Sequence, residues 1–171
     1  KIVLMLTVIM LIGLAGCGKN QINIKETGTS DNNEQMVQNI YENKRTEVKP
    51  KISEIKERLP ETSAEDKGTC GSKAKWYYKD NTLIIYGEGV ITEDTWHKSN
   101  IVINTVVIDS GITKLGNNMF SGLGSEVGKN IENFYIADGL EEIGSSTFVN
   151  CDCLSEIVLP PSLYFIDGYT F

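Results

Sequence analysis

The sequence predicts a mainly β fold: a solenoid of short parallel strands, stacked coil on coil behind an N-terminal β-hairpin cap. Three observations carry that expectation. Rows 103–120, 131–148 and 154–171 align with offsets of 28 and 23 residues. Six columns are apolar in all three rows: Ile103/Ile131/Leu154, Val106/Phe134/Ile157, Ile108/Ile136/Leu159, Ile112/Leu140/Leu163, Leu115/Ile143/Ile166 and Phe120/Phe148/Phe171. The difference between the offsets falls in the connections, ten residues in 121–130 against five in 149–153. A stack of coils tolerates insertions confined to its loops.

Each row has the same internal logic. The spacing Leu154-x-x-Ile157-x-Leu159 sends Ile157 and Leu159 to one side of a short strand and Val158 to the other. A turn follows at Ser110-Gly111, Asp138-Gly139 and Pro160-Pro161. A second apolar pair brings the chain back, and the closing Phe fills the interior. No coil buries its own face, so the stack is the fold. Upstream, Trp76-Tyr77-Tyr78 and the run from Leu83 to Tyr86 are β-prone segments around Lys79-Asp80-Asn81. They predict a hairpin that shields the first coil.

These rows resemble the BspA-like leucine-rich repeat family of bacterial surface proteins, whose unit reads roughly L-x-x-V-x-I-P-x-x-V-x-x-I-G-x-x-A-F-x-x-C. Phe148-Val149-Asn150-Cys151 matches the F-x-x-C end, Ile143-Gly144 matches the I-G step, and Leu115-Gly116 is its row-one counterpart. Gly68-Thr69-Cys70-Gly71, Trp76-Tyr77-Tyr78 and Thr82-Leu83-Ile84-Ile85-Tyr86-Gly87-Glu88-Gly89 resemble the flank that precedes the repeats in that family. The likeness covers 68–171 and departs at Leu123, in the cysteine column, and at Asp167, in the glycine column. It implies a leucine-rich repeat solenoid of right-handed coils. It also implies adhesion or protein–protein recognition, with a protein on a host or neighbouring cell surface as partner.

The N-terminus reads as an export signal. Lys1 precedes an apolar run from Ile2 to Leu14. At a rise of 1.5 Å such a run covers roughly 20 Å, short of the roughly 30 Å hydrocarbon core of a bilayer. The next residues, Leu14-Ala15-Gly16-Cys17, resemble the lipobox of bacterial lipoproteins. That resemblance implies Leu14, Ala15 and Gly16 as signal-peptidase recognition residues and Cys17 as the lipidated mature N-terminus. Membrane lipid then becomes a partner through Cys17, and the protein is extracytoplasmic, lipid-anchored and surface-exposed. The expected organisation is signal peptide 1–16, lipidated N-terminus and polar stalk 17–67, cap 68–102 and repeats 103–171. Residues 18–67 read as a solvated tether. Ile52, Ile55 and Leu59, and Met36 with Ile40, fall at helical spacing and offer a short partner helix as the alternative. Row three stops at Phe171 without a closing turn, so the repeats are expected to continue beyond it.

Charge and composition narrow the function. The 171 residues carry a net charge of −7, and residues 68–171 alone hold six bases against thirteen acids, again −7. An acidic globule argues against nucleic acid as partner. The one histidine, His97, lies near Asp94, but no G-x-S-x-G accompanies it, and it reads as a solvated loop residue. Gly122-Leu123-Gly124 lacks the lysine of a phosphate loop. No EF-hand spacing is present, and a lone Cys-x-Cys is a weak zinc signal. No cofactor, metal or catalytic constellation is therefore expected. The alternatives are a substrate-docking or accessory region of a larger extracellular enzyme, or a structural envelope spacer. Cys151 and Cys153 are too close to bridge each other easily. Cys70, Cys151 and Cys153 are then buried thiols, or Cys70 pairs with one of the other two. Val107, Tyr135 and Val158 alternate outward on their strands and predict an apolar stripe on the exposed sheet. Such a stripe is either a partner-binding surface with Tyr135 as its anchor or plain β-propensity.

Overall fold

The computed structural model describes residues 9–11, 30–99, 101–122 and 126–171. Leu14, Ala15, Gly16 and Cys17, with Leu123 and Gly124, lie outside them. In chain order the elements are β1 (Ile9–Leu11), α1 (Ser30–Arg58), β2 (Asp66–Thr69), β3 (Lys73–Lys79), β4 (Thr82–Ile91), β5 (Thr105–Ile108), β6 (Ile112–Leu115), α2 (Glu126–Asn130), β7 (Asn133–Ile136), β8 (Glu142–Ile143), β9 (Glu156–Val158) and β10 (Phe165–Ile166).

The hairpin forms where the turn residues put it. Asp80 and Asn81 take φ of 47° and 56°, the left-handed pair that a two-residue hairpin turn demands. Lys79 and Thr82 close it, and β3 and β4 pair back to Lys73 and Glu88. Strand β2 adds a third antiparallel strand on β3.

Strand β4 belongs to the hairpin and to the solenoid at once. Its first half runs parallel to β5, with Leu83 opposite Val106 and Ile85 opposite Ile108. Its second half runs parallel to β6, with Ile91 opposite Leu115. Between them the strand bends at Gly87 and Gly89, which hold φ of 100° and 86°, and the register shifts after Gly89. Only glycine takes such angles without strain, and a bulge there re-aims the strand. Two parallel ladders therefore leave β4. The first passes to β5 and β7, with β9 packed beside β7. The second passes through β6 and β8 to β10.

The registers reproduce the sequence offsets. Val106 faces Phe134 and Leu115 faces Ile143, 28 apart, while Ile143 faces Ile166, 23 apart. The first two rows bury all six of their columns, and row three buries its first three, with Leu163, Ile166 and Phe171 packed partly against the core. The closing aromatics form one stack. Phe120 and Phe148 lie 6.1 Å apart and Phe148 and Phe171 5.3 Å, with near-parallel rings. Trp96 extends the stack at 5.5 Å from Phe120, so the segment expected as a cap contributes a coil of its own. A Cβ on Gly116 would fall 2.7 Å from the Ile91 carbonyl oxygen, so this column lets coils approach closely. Asp167, in the same column, keeps the inter-coil bond: its N–H donates to Ile143 O at 2.9 Å.

The structure departs from the expected tether. Residues 30–58 are one helix, and its Tyr41, Val48, Ile52 and Ile55, with Leu59 just beyond, are buried against the sheet. The stripe of Ile52, Ile55 and Leu59, offered above as an alternative partner helix, packs because the sheet supplies the matching apolar surface. Strand β1 pairs antiparallel with β9, Met10 opposite Ile157. No helix among the described residues is long and apolar enough to cross a membrane.

Candidate interaction surface

The first ladder has two faces. Inward go Leu83, Ile85, Val106, Ile108, Phe134 and Ile136, into the solenoid core. Outward go Ile84, Val107 and Tyr135, in register across β4, β5 and β7, flanked by Tyr77 of β3 and Val158 of β9. The stripe of Val107, Tyr135 and Val158 therefore exists and faces away from the core, as the alternation requires. It does not face water. Val107 is fully buried, Val158 is 8% exposed and Tyr135 is half-buried. The expected exposed sheet is corrected here, and the cover is this chain's own α1.

Helix α1 crosses the strands. Eighteen steps from Tyr41 to Leu59 make about 27 Å at 1.5 Å each, enough to span five strands about 4.8 Å apart. At its C-terminal end the Tyr77 hydroxyl donates to Leu59 O at 3.0 Å. At its other end the Tyr41 hydroxyl donates to Leu159 O at 2.5 Å. Burial pushes the pKa of both phenols up. Between them Arg45 Nη1 donates to Ile136 O at 3.0 Å. Three ion pairs rim the contact: Lys56 with Asp109, Arg45 with Asp138 and Lys44 with Glu156. In each the helix supplies the cation and the sheet the carboxylate. The seal is incomplete. A cleft of about 490 Å³ opens between Lys44, Val48 and Lys51 on the helix and Phe134, Tyr135 and Val158 on the sheet.

The signal that would have exposed this arrangement was in the sequence. Tyr41, Val48, Ile52, Ile55 and Leu59 are spaced 7, 4, 3 and 4, one continuous helical stripe. Pro50 stands inside that stripe and masks its continuity, since a helix-interior proline costs a hydrogen bond. In the structure Pro50 sits inside α1 on the exposed side.

The remaining candidates fall elsewhere. Cys70 and Cys151 are free, buried thiols, and burial raises each pKa to about 12. Because Cys70 is free, neither expected pairing of it, with Cys151 or with Cys153, forms. Cys151 donates its S–H to Phe120 O at 3.2 Å, the buried turn position expected of it. His97 Nδ1 lies 2.6 Å from Asp94 Oδ2, and its Nε2 is buried with no hydrogen-bond partner among the described residues; that differs from the expected solvated residue. Among the described residues no group of three His, Cys, Asp or Glu side chains could hold a metal.

Comparison with known proteins bears on the same region. A family model described as BspA type Leucine rich repeat region matches residues 84–171 in 6 copies. No curated protein matches the chain. Among solved structures, a leucine-rich repeat protein from Eubacterium ventriosum ATCC 27560, a crystal structure at 2.50 Å, is similar at 22% identity and a TM-score of 0.42. The likeness covers 60% of this chain and 26% of that one, so this chain matches about a quarter of that protein's length.

Proposed function

Since the chain belongs to the BspA-type leucine-rich repeat family through residues 84–171, we propose that it is a membrane-anchored surface lipoprotein whose repeat domain recognises a protein partner in adhesion. Leucine-rich repeat domains generally mediate protein–protein interaction, and members of this family are typically extracellular or surface proteins. The observation that carries recognition is the pair of parallel ladders, a regular surface built from aligned side chains. The observation that carries anchoring is Leu14-Ala15-Gly16-Cys17 behind the apolar run. A diacylglycerol on the Cys17 sulfur holds the mature chain on the membrane, since each buried CH₂ contributes about 0.8 kcal/mol. Cleavage before Cys17 removes β1 and leaves the β9 edge open.

Cys17→Ser tests the anchor. The variant is expected in the soluble fraction or unprocessed, whereas the unsubstituted protein stays with membranes and carries a lipidated N-terminal peptide by mass. Membrane retention with unchanged mature mass overturns it. So does a disulfide linking residue 17 to Cys153 in the mature protein, because one sulfur cannot hold both a lipid thioether and a disulfide.

A further inference from the structure

The cover over the first ladder differs in composition from the core beneath it. Inside the solenoid the six repeated columns are apolar. The contact between α1 and the sheet has one file of five apolar side chains, three rim ion pairs that are partly open to water, and the 490 Å³ cleft. A layer integral to a core is packed to crystal-like density; here a cleft opens between helix and sheet. Pro50 also interrupts the hydrogen bonding of α1 midway between its two attachments. The helix is otherwise polar, and an isolated helix without tertiary contacts is marginal in water. α1 therefore depends on the sheet, while the sheet is complete without α1 as far as its own hydrogen bonding goes.

We propose that this outer face is a binding surface for an amphipathic helix with flanking cations, and that α1 is its exchangeable resident. The face states the chemistry of its occupant. The band Tyr77, Ile84, Val107, Tyr135 and Val158 takes apolar side chains on a single helical stripe. Asp109, Asp138 and Glu156 stand where two adjacent cations and a third about three turns further along that helix meet them. An acidic or uncharged helix would leave those carboxylates unpaired beside a buried surface. A partner protein offering such a helix competes with α1, whose tether gives it a high effective concentration; binding is gated by release of α1. This inference rests on the reading of the domain as a protein-recognition module, but not on the lipid anchor.

The test uses the full chain and a fluorescent synthetic peptide with the sequence of residues 38–60. The unsubstituted chain is expected to bind it weakly, because α1 is in place. The Ile52→Asp/Ile55→Asp chain, whose own α1 has lost its stripe, is expected to bind at least about tenfold more tightly, since an occupied face lowers apparent affinity by the fraction open. A peptide with Lys44→Glu, Arg45→Glu and Lys56→Glu is expected to lose that binding. A folded variant that ignores the first peptide overturns the proposal, as does a variant that unfolds throughout, which would make α1 part of the core. Hydrogen exchange on the unsubstituted chain is the second reading. The amides of α1 are expected to open separately from those of β3 and β4; opening only together with them overturns exchangeability. If cell-surface adhesion persists in a chain whose α1 never opens, recognition stands on another face and this inference alone falls.

Discussion

In the first ladder the outward column reads Ile84, Val107, Tyr135 and Val158; in the second it reads Val90, Lys114, Glu142 and Phe165. The backbone geometry is alike, parallel strands laid side by side from successive coils. Their surroundings differ. The first column lies under α1, and the second lies in solvent, with Val90 40% and Phe165 47% exposed. The second needs no cover because its middle is an ion pair: Lys114 Nζ sits 2.6 Å from Glu142 Oε2, and the Tyr164 hydroxyl donates to Glu142 Oε1 at 2.9 Å. Water serves charged groups well and an unbroken apolar file badly. The helix settles where desolvation is rewarded at about 25 cal/mol per Å² of apolar surface. One residue per coil, at one position of the strand, thus decides which sheet face stays open.

The largest effect comes from breaking what the two ladders share. Phe148 stacks on Phe120 and Phe171 and meets Phe134 edge-on at 5.0 Å. Phe148→Ala is expected to cost about 3–5 kcal/mol, the usual range for deleting a buried aromatic, and to loosen both ladders. Urea unfolding followed by tryptophan fluorescence, with Trp96 at the head of the stack, measures it. A loss confined to one ladder would mean that the coils do not share a single core.

A smaller change separates the covered ladder from the open one. Tyr77→Phe keeps the ring beside Ile84 and removes only the bond to Leu59 O, a cost of about 1 kcal/mol, expected as faster hydrogen exchange in α1 with β6 and β8 unmoved. The same bond makes α1 sensitive to alkali. Burial raises the pKa values of Tyr41 and Tyr77 above the ordinary 10.0, so the folded state holds protons that the unfolded chain releases first. Their contribution is complete below pH 10 and is lost as pH rises through the raised folded values. Helix ellipticity is expected to fall in step with tyrosinate absorbance in unsubstituted protein. In a Tyr41→Phe/Tyr77→Phe variant that coupling is expected to vanish. Persistence of the coupling would place the alkaline transition elsewhere.

Legibility from sequence followed the same divide. The inner columns of both ladders were readable because a repeat states each position three times, so Ile108, Ile136 and Leu159 identify one another without any knowledge of their neighbours. The direction of Val107, Tyr135 and Val158 was readable for the same reason, from strand alternation. Their burial was not, because it depends on a segment of different period far away in the chain. Tyr41 reaches Leu159 across 118 residues, and nothing local to either implies the other. Trp96 was missed as a core residue for a related reason: its coil has lost the repeat pattern except for the final aromatic, which the stack at 5.5 Å from Phe120 makes visible. Cys151 was legible through its motif, whereas the fate of Cys70 depended on how the hairpin docks.

The smallest effect is expected on the open ladder, and its pH dependence has a definite sign. The hydrogen bond from Lys114, and after it that from Tyr164, hold the Glu142 carboxyl below its ordinary pKa of 4.5. The folded state therefore binds fewer protons than the unfolded chain in that range. Whatever stability the pair contributes is fully present above the ordinary carboxylate value and is lost as pH falls through the lowered one. Both side chains are partly exposed, and exposed pairs are screened and contribute little. Lys114→Ala is accordingly expected to lower the urea midpoint slightly at neutral pH and not at all in acid, with the neutral difference shrinking as salt is raised. An equal loss at both pH values would show that the Lys114 stem, packed along the sheet, matters more than its charge. The second ladder would then owe its freedom from a cover to side-chain bulk rather than to ionisation.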